Sequence, residues 1–149
     1  MIKTFKGEIK DNEVLTIRLS TNKGETGYKI KKLELFPTQP GIANVENVVQ
    51  VFTVPYTETN TSAPPNFDHP TLIGAAYFQD NASSAVPSSK VVVVDNVTFN
   101  QDIYITHRDI SNSTPGSGTA VNYYVELDQM KLNIGESTVA TLKDMRGRE

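Results

Sequence analysis

VNYYVELD, at residues 121–128, alternates apolar and polar side chains with a period of two. Successive side chains of an extended chain point to opposite faces, so this pattern is typical of a β-strand with one face on a core. Residues 15–20, 28–35 and 102–106 show the same alternation. We therefore expect one kind of element, the half-buried strand, along most of the chain.

Interruptions of this period predict where strands bend or are covered. Segment 28–35 changes phase in its middle, which predicts a β-bulge at Lys31–Lys32. Segment 121–132 also changes phase, which predicts a second bulge or bend near Asp128–Gln129. The run of four valines at 91–94 is apolar on both faces and predicts a central strand covered on both sides.

The last residues alone have helical character. Asn133 can cap a helix, and Glu136 can reach back to it as in a capping box. The predicted helix covers residues 134–146 and carries a narrow apolar stripe, which should dock on the sheet or on a neighbour because so short a helix is marginal alone. The stripe consists of Ile134, Thr138, Leu142 and Met145.

About eight short strands joined by turn-rich segments predict an all-β fold, an antiparallel β-sandwich that is jelly-roll-like, with this short C-terminal helix. An immunoglobulin sandwich is less favoured, because the Cys…Trp…Cys signature is missing. We expect a single domain over residues 1–149. Three long polar connections, at 57–70, 79–89 and 109–120, exceed the usual loop length and suggest a binding role.

Charge is distributed unevenly. Residues 1–32, the basic N-terminal strands, hold eight basic and four acidic side chains, whereas residues 33–128 hold two basic and ten acidic ones. Such polarity bears on association rather than on fold. The chain has no cysteine, and its start lacks an apolar run like that of a signal peptide, so we expect folding in a reducing cytosol.

No catalytic constellation accompanies this pattern. His69 and His107 are the two histidines, and neither lies near a Gly-x-Ser-x-Gly nucleophile elbow. The serine hydroxyls available to a hydrolase are those of Ser83, Ser84, Ser88 and Ser89. Loop hydrogen bonding is the default interpretation of both histidines, and we predict no enzymatic activity.

Five aspartates near strand ends make calcium the best metal candidate, but they lack the Asp-x-Asp-x-Asp-Gly spacing and suit ordinary turns. They are Asp68, Asp80, Asp95, Asp102 and Asp109. Four Asn-x-Ser/Thr triplets, at 60, 81, 96 and 112, are expected by chance in such loops. We assign no catalytic, cofactor-binding or metal-binding residue. Nucleic acid is a weak candidate, because lysines dominate the basic segment and alternate over two faces.

Three stretches carry a family resemblance: FNQDIYITH at 99–107, NYYVEL at 122–127 and VATLKDMR at 139–146, after GYKI at 27–30. In this order they resemble small virion structural proteins of bacteriophages, particularly of aquatic hosts. The resemblance implies a β-sandwich that assembles in many copies and has no enzymatic activity. It implies no site residues.

The function we predict is a capsid decoration (cement) or minor capsid subunit, assembled in the host cytoplasm and found in the virion. Its partners would be copies of itself, in a closed homo-oligomer such as a trimer, and other capsid proteins. A tail or fibre-associated piece is an alternative, as is a carbohydrate-binding β-sandwich module for host recognition. The aromatic candidates for that module are Tyr56, Phe67, Tyr77, Tyr123 and Tyr124. A cupin-like enzyme would need clustered histidines, which two residues 38 positions apart do not favour.

Overall fold

The computed structural model describes residues 1–21, 24–40, 44–55, 65–80, 88–94 and 97–147, with backbone alone at 134, 137 and 143–147. Within these ranges the chain forms eight strands and one helix. They are β1 (Ile2–Ile9), β2 (Val14–Ile17), β3 (Thr26–Pro37), β4 (Val45–Phe52), β5 (Leu72–Asp80), β6 (Ser88–Val93), β7 (Ile103–Asp109), β8 (Val121–Lys131) and α1 (Ile134–Gly147). None of the described helical residues forms a segment long and apolar enough to cross a membrane.

Two antiparallel sheets pack face to face, as the alternation predicts. One has the order β1-β8-β3 and the other has the order β2-β7-β4-β5-β6. The inward positions of β8 are fully buried at Val121, Val125 and Leu127, and they meet the inward positions of the other sheet. An isolated antiparallel β-bridge pairs Phe99 with Tyr28 of β3. The predicted all-β sandwich is confirmed.

The predicted bulge in β3 is confirmed, and the predicted bulge in β8 is wrong. The register of β3 against β8 shifts between Ile30 and Lys32, but β8 pairs without interruption as far as Lys131. Met130 continues the regular alternation opposite Gly27, and Leu132 follows after the strand has ended. The Leu132 side chain lies over Gly27, where a Cβ atom would come within 2.7 Å of it. The apparent change of phase in the sequence therefore came from Leu132, which lies beyond the end of the strand.

The prediction of a central strand at 91–94 is also wrong. Val91, Val92 and Val93 belong to β6 and Val94 follows it; this strand lies at the edge of the five-stranded sheet and pairs with β5 on one side. Val91 is 42% exposed and Val92 is 46% exposed. The opposing sheet has three strands against five, so it leaves part of the inner face of β6 uncovered.

Helix α1 begins and ends close to the predicted bounds. Asn133 Oδ1 accepts a hydrogen bond from the Glu136 main-chain N–H at 2.8 Å, and the Glu136 carboxylate accepts one from the Asn133 N–H at 3.4 Å. The predicted stripe is wrong at Thr138 and Leu142, which are exposed, while its other two side chains lie outside the described residues. Ala140 is the buried residue, and Thr141 Oγ1 accepts a hydrogen bond from Asn100 Nδ2 at 2.9 Å.

Candidate functional site

The most strongly built polar feature is a buried ion pair beneath the connection between β7 and β8. Asp11 Oδ1 lies 2.9 Å from Arg108 Nη1, and the two side chains are 0% and 6% exposed. The same carboxylate accepts main-chain N–H hydrogen bonds from Asp109 at 2.8 Å, Gly116 at 2.8 Å and Gly118 at 2.9 Å. Asp11 therefore ties the turn after β1 to the loop that precedes β8.

Arg108 and Asp109 extend this network to more of the loop. The guanidinium of Arg108 donates to the main-chain carbonyls of Asp109 at 2.6 Å and Asn112 at 2.7 Å. The Asp109 carboxylate accepts from Ser111 Oγ at 2.6 Å and from the Thr119 N–H at 2.9 Å. We call Asp11, Arg108, Asp109 and the loop groups bonded to them the Asp11 cluster. Its function in the fold is to hold the long 109–120 connection against the sheet.

The electrostatics of the Asp11 cluster favour the ionised form of the Asp11 carboxylate. Burial raises the pKa of Asp11, but the hydrogen bonds from Asp109, Gly118, Arg108 and Gly116 outweigh burial, so the pKa lies below its usual value. Asp102 behaves in the same way: burial raises its pKa, and the Ser20 and Leu19 main-chain N–H groups bring the pKa below normal. A carboxylate stabilised in its charged form is a poor proton donor or acceptor near neutral pH.

His107 is a buried core residue next to this cluster. Its Nδ1 lies 3.0 Å from the carbonyl oxygen of Lys10, and its Nε2 lies 2.9 Å from the Asn47 side-chain amide. Burial lowers the pKa of His107, although the Lys10 contact and the charges of Asp11 and Asp109 raise it in part. Both contacts are oxygens, Lys10 O and Asn47 Oδ1, so a neutral ring, which carries one N–H group, donates a hydrogen bond to one of the two.

His69 occupies a loop, as its default interpretation predicts. Its Nδ1 lies 2.9 Å from Thr71 Oγ1, and its ring packs edge-on against Phe52 at 5.4 Å between centroids. Ser88 and Ser89 lie on exposed β6, while Ser83 and Ser84 fall outside the described residues. These positions do not assemble the two histidines and a serine into one site.

The calcium candidates are dispersed rather than gathered. Asp109 is saturated by donors from the Asp11 cluster, and Asp102 accepts main-chain N–H hydrogen bonds from Leu19 at 2.7 Å and Ser20 at 2.9 Å. Asp95 falls outside the described residues. Across the part of the chain that the structure describes, no three side chains of His, Cys, Asp or Glu come together as metal ligands.

The basic and acidic segments of the sequence lie side by side in the three-stranded sheet. The acidic middle strand β8 lies between the two lysine-rich strands β1 and β3. Lys29 pairs with Asp128 and Lys32 pairs with Glu126 across the strands, and the Met1 ammonium lies 3.6 Å from Asp128. The sheet therefore places the basic segment beside acidic residues of its own chain.

The aromatic candidates also separate. Tyr123 faces inward over Gly7, whose added Cβ would lie 3.1 Å from the tyrosine ring, and Tyr124 faces outward. Tyr77 donates a 2.7 Å hydrogen bond to Glu46. Burial is the larger cause and this hydrogen bond the next, and together they raise the pKa of Tyr77 to about 12. Phe67 is exposed on a loop, and Tyr56 falls outside the described residues.

Sequence reasoning missed Phe36, which is 65% exposed on β3 next to Tyr124. The available signal was its phase: Leu33 and Leu35 alternate onto one face, which leaves the large apolar Phe36 on the other. Comparisons of the chain with protein-family models, with curated proteins and with solved structures found no match.

Proposed function

We propose that this protein is a non-enzymatic structural subunit of a phage virion, a capsid decoration (cement) or minor capsid protein. The observation that carries the proposal is the order of its strands, taken together with the family resemblance of its sequence. The resemblance points to small phage virion proteins, and the strand order is compatible with a fold that such proteins use. Fold alone does not specify function, so the proposal rests on both.

We interpret the winding as jelly-roll-like. In a jelly roll, eight strands form two Greek keys with the sheet orders 1-8-3-6 and 2-7-4-5, an architecture used by viral capsid and lectin domains. The orders β1-β8-β3 and β2-β7-β4-β5 fit this scheme. Strand β6 pairs with β5 instead of β3, and the Tyr28–Phe99 bridge occupies the place beside β3 soon after β6 ends.

The edge strand β6 supports assembly with a second copy. An edge strand offers unpaired main-chain groups to another strand, and natural proteins usually blunt such edges. Strand β6 has the valine-rich composition of a central strand, although it lies at the edge of its sheet. One side of β6 is free of any strand of the described chain. Pairing with another strand would cover these valines.

Self-pairing of β6 is geometrically consistent. A two-fold axis perpendicular to the sheet at Val92 sets Val92 against its counterpart and Val91 against Val93 of the second copy. Inward residues then meet inward residues, so the two cores join. Lys90 falls opposite Val94 of the second copy, and the two ammonium groups stay about 13 Å apart along the strands, beyond the Debye length in physiological salt. A trimer would instead require β6 to meet a different edge, such as β2.

The proposal is tested on particles purified from the phage that encodes the chain. Quantitative mass spectrometry should find the chain at a fixed ratio to the main shell protein, and an antibody to the chain should label the particle surface. Hydrogen exchange should be slower in β6 within the particle than in the dilute isolated chain. A chain absent from washed particles would contradict the virion role, and label on the tail alone would favour the tail or fibre alternative.

A further inference from the structure

The outer face of the three-stranded sheet holds an open depression of about 550 Å³. Among the residues that the structure describes, its lining comes from β1, β3 and β8 and not from the five-stranded sheet, which places the depression on the solvent side. The cross-strand register puts six side chains on this outer side, and we call them the Phe36 face. They are Lys6, Glu8, Glu34, Phe36, Asn122 and Tyr124.

Two aromatic rings form the apolar part of the Phe36 face. Phe36 pairs with Asn122 and Tyr124 pairs with Glu34, so the two rings occupy adjacent rows of the sheet and are diagonal neighbours. Tyr124 is held in place because its hydroxyl donates a 2.6 Å hydrogen bond to Glu126 and Lys32 Nζ lies 6.0 Å from its ring centroid. Phe36 is 65% exposed, and with the Tyr124 ring beside it the two side chains form a continuous aromatic surface on this side of the sheet.

The polar part of the face surrounds these rings with both donors and acceptors. Lys6 donates, Glu8 and Glu34 accept, and Asn122 does both. The face carries two carboxylates and one ammonium, and Lys32, whose Nζ lies 3.3 Å from Glu34, supplies a second cation, so the charges balance and leave no excess cation for an anionic ligand. Phosphate, nucleic acid and sulfated polymers are therefore disfavoured, and an uncharged ligand is favoured.

We propose that the Phe36 face binds a neutral saccharide. A pyranose has a C–H face that packs on an aromatic ring and a rim of hydroxyls that both donate and accept hydrogen bonds, which is the combination this face offers. The volume lies within the usual range of small-molecule sites, about 300–1,000 Å³. The site is separate from β6, so the proposal stands or falls independently of the assembly role.

The test uses the full chain labelled with ¹⁵N and titrated with linear neutral hexasaccharides of glucose, N-acetylglucosamine, mannose and galactose. With at least one of them at millimolar concentration, amide shifts should cluster in residues 6–8, 34–36 and 122–124. Phe36→Ala should weaken that binding about tenfold or more, because it removes the packing surface. A heparin hexasaccharide, as the anionic probe, should leave these amides unshifted.

Phe67 provides a matched control, because Phe36 and Phe67 are each 65% exposed. Phe67→Ala should leave saccharide binding unchanged, and both variants should keep the wild-type amide spectrum elsewhere. Shifts from none of the four neutral sugars, binding of heparin instead, or equal losses in the two variants would overturn the proposal. A Phe36→Ala variant that changes the mass of the protein in solution, with no sugar binding by wild type, would identify the face as a protein contact.

Discussion

Removal of the Asp11 carboxylate should be among the most destabilising single substitutions in this protein. In Asp11→Ala, Arg108 keeps its charge at a position where its side chain is 6% exposed. The main-chain N–H groups of Asp109, Gly116 and Gly118 lose their acceptor in the same step. The turn after β1 and the 109–120 connection are therefore released together.

The expected magnitude follows from the burial of the pair. Removing one partner of a buried ion pair costs about 3–5 kcal/mol, because the remaining charge is left uncompensated. Each main-chain N–H group that is left without an acceptor adds a desolvation cost where water cannot reach it, although such costs are not additive. We therefore expect Asp11→Ala to lower the free energy of unfolding by about 4 kcal/mol, a large share of the ~5–15 kcal/mol typical of a domain.

Urea unfolding followed by circular dichroism measures this loss directly. Arg108→Met leaves Asp11 with its three main-chain donors and should cost less, about 2 kcal/mol. The double variant should be more stable than the sum of the single losses predicts, by about 1–3 kcal/mol. Exposed Asp68→Ala is the control and should change stability by less than about 0.5 kcal/mol. A loss below about 1 kcal/mol for Asp11→Ala, or strict additivity in the double variant, would refute the reasoning.

Gly118→Ala should destabilise the fold by about 1–3 kcal/mol in urea unfolding, because its added Cβ would lie 2.6 Å from the Asp109 Cβ and 2.9 Å from Asp11 Oδ2. The control Gly135→Ala, in helix α1, should instead be neutral or stabilising. Gly27→Ala should lower the free energy of unfolding by a similar amount, because its added Cβ would clash with the Leu132 side chain. In a double-variant cycle, Leu132→Ala should relieve part of the loss caused by Gly27→Ala, and full additivity would contradict the packing described for Leu132. Burial lowers the pKa of His107, so its contribution to stability is complete above the unfolded pKa near 6.5 and declines as pH falls below it, with a slope of up to ~1.4 kcal/mol per pH unit. The His107→Asn variant should lose this slope between pH 7 and pH 5 while His69→Asn keeps it, and an unchanged slope in His107→Asn would assign the dependence to another group.

Local periodicity predicted the class of the fold, because alternation is decided within each strand. It failed where a position depends on partners far along the chain. Strand β1 gives a weak signal, since its inward positions Lys3, Phe5, Gly7 and Ile9 include only two large apolar side chains. The valines of β6 satisfy the pattern of a central strand, but a strand's composition does not state its place in the sheet.

The polar and aromatic sites were less predictable still. Asp11 and Arg108 are 97 residues apart, so no local pattern distinguishes Asp11 from an ordinary turn aspartate. Phe36 and Tyr124 are brought into adjacent rows by the pairing of β3 with β8, and the bulge at Lys31–Lys32 sets which face they share. The calcium candidates show the converse, because aspartates that look alike in sequence serve separate main-chain contacts.

Sedimentation equilibrium of the isolated chain tests the central claim, that β6 joins copies of this protein, most directly. At micromolar concentrations the wild type should have twice the chain mass of 16.4 kDa, or an even multiple of it. Val92→Lys should return it to the monomer mass, because the two-fold axis would set two ammonium groups against each other. Val139→Lys, at a valine 53% exposed on α1, should leave the mass unchanged. A wild-type monomer at every concentration, or a mass insensitive to Val92→Lys, would contradict assembly through β6.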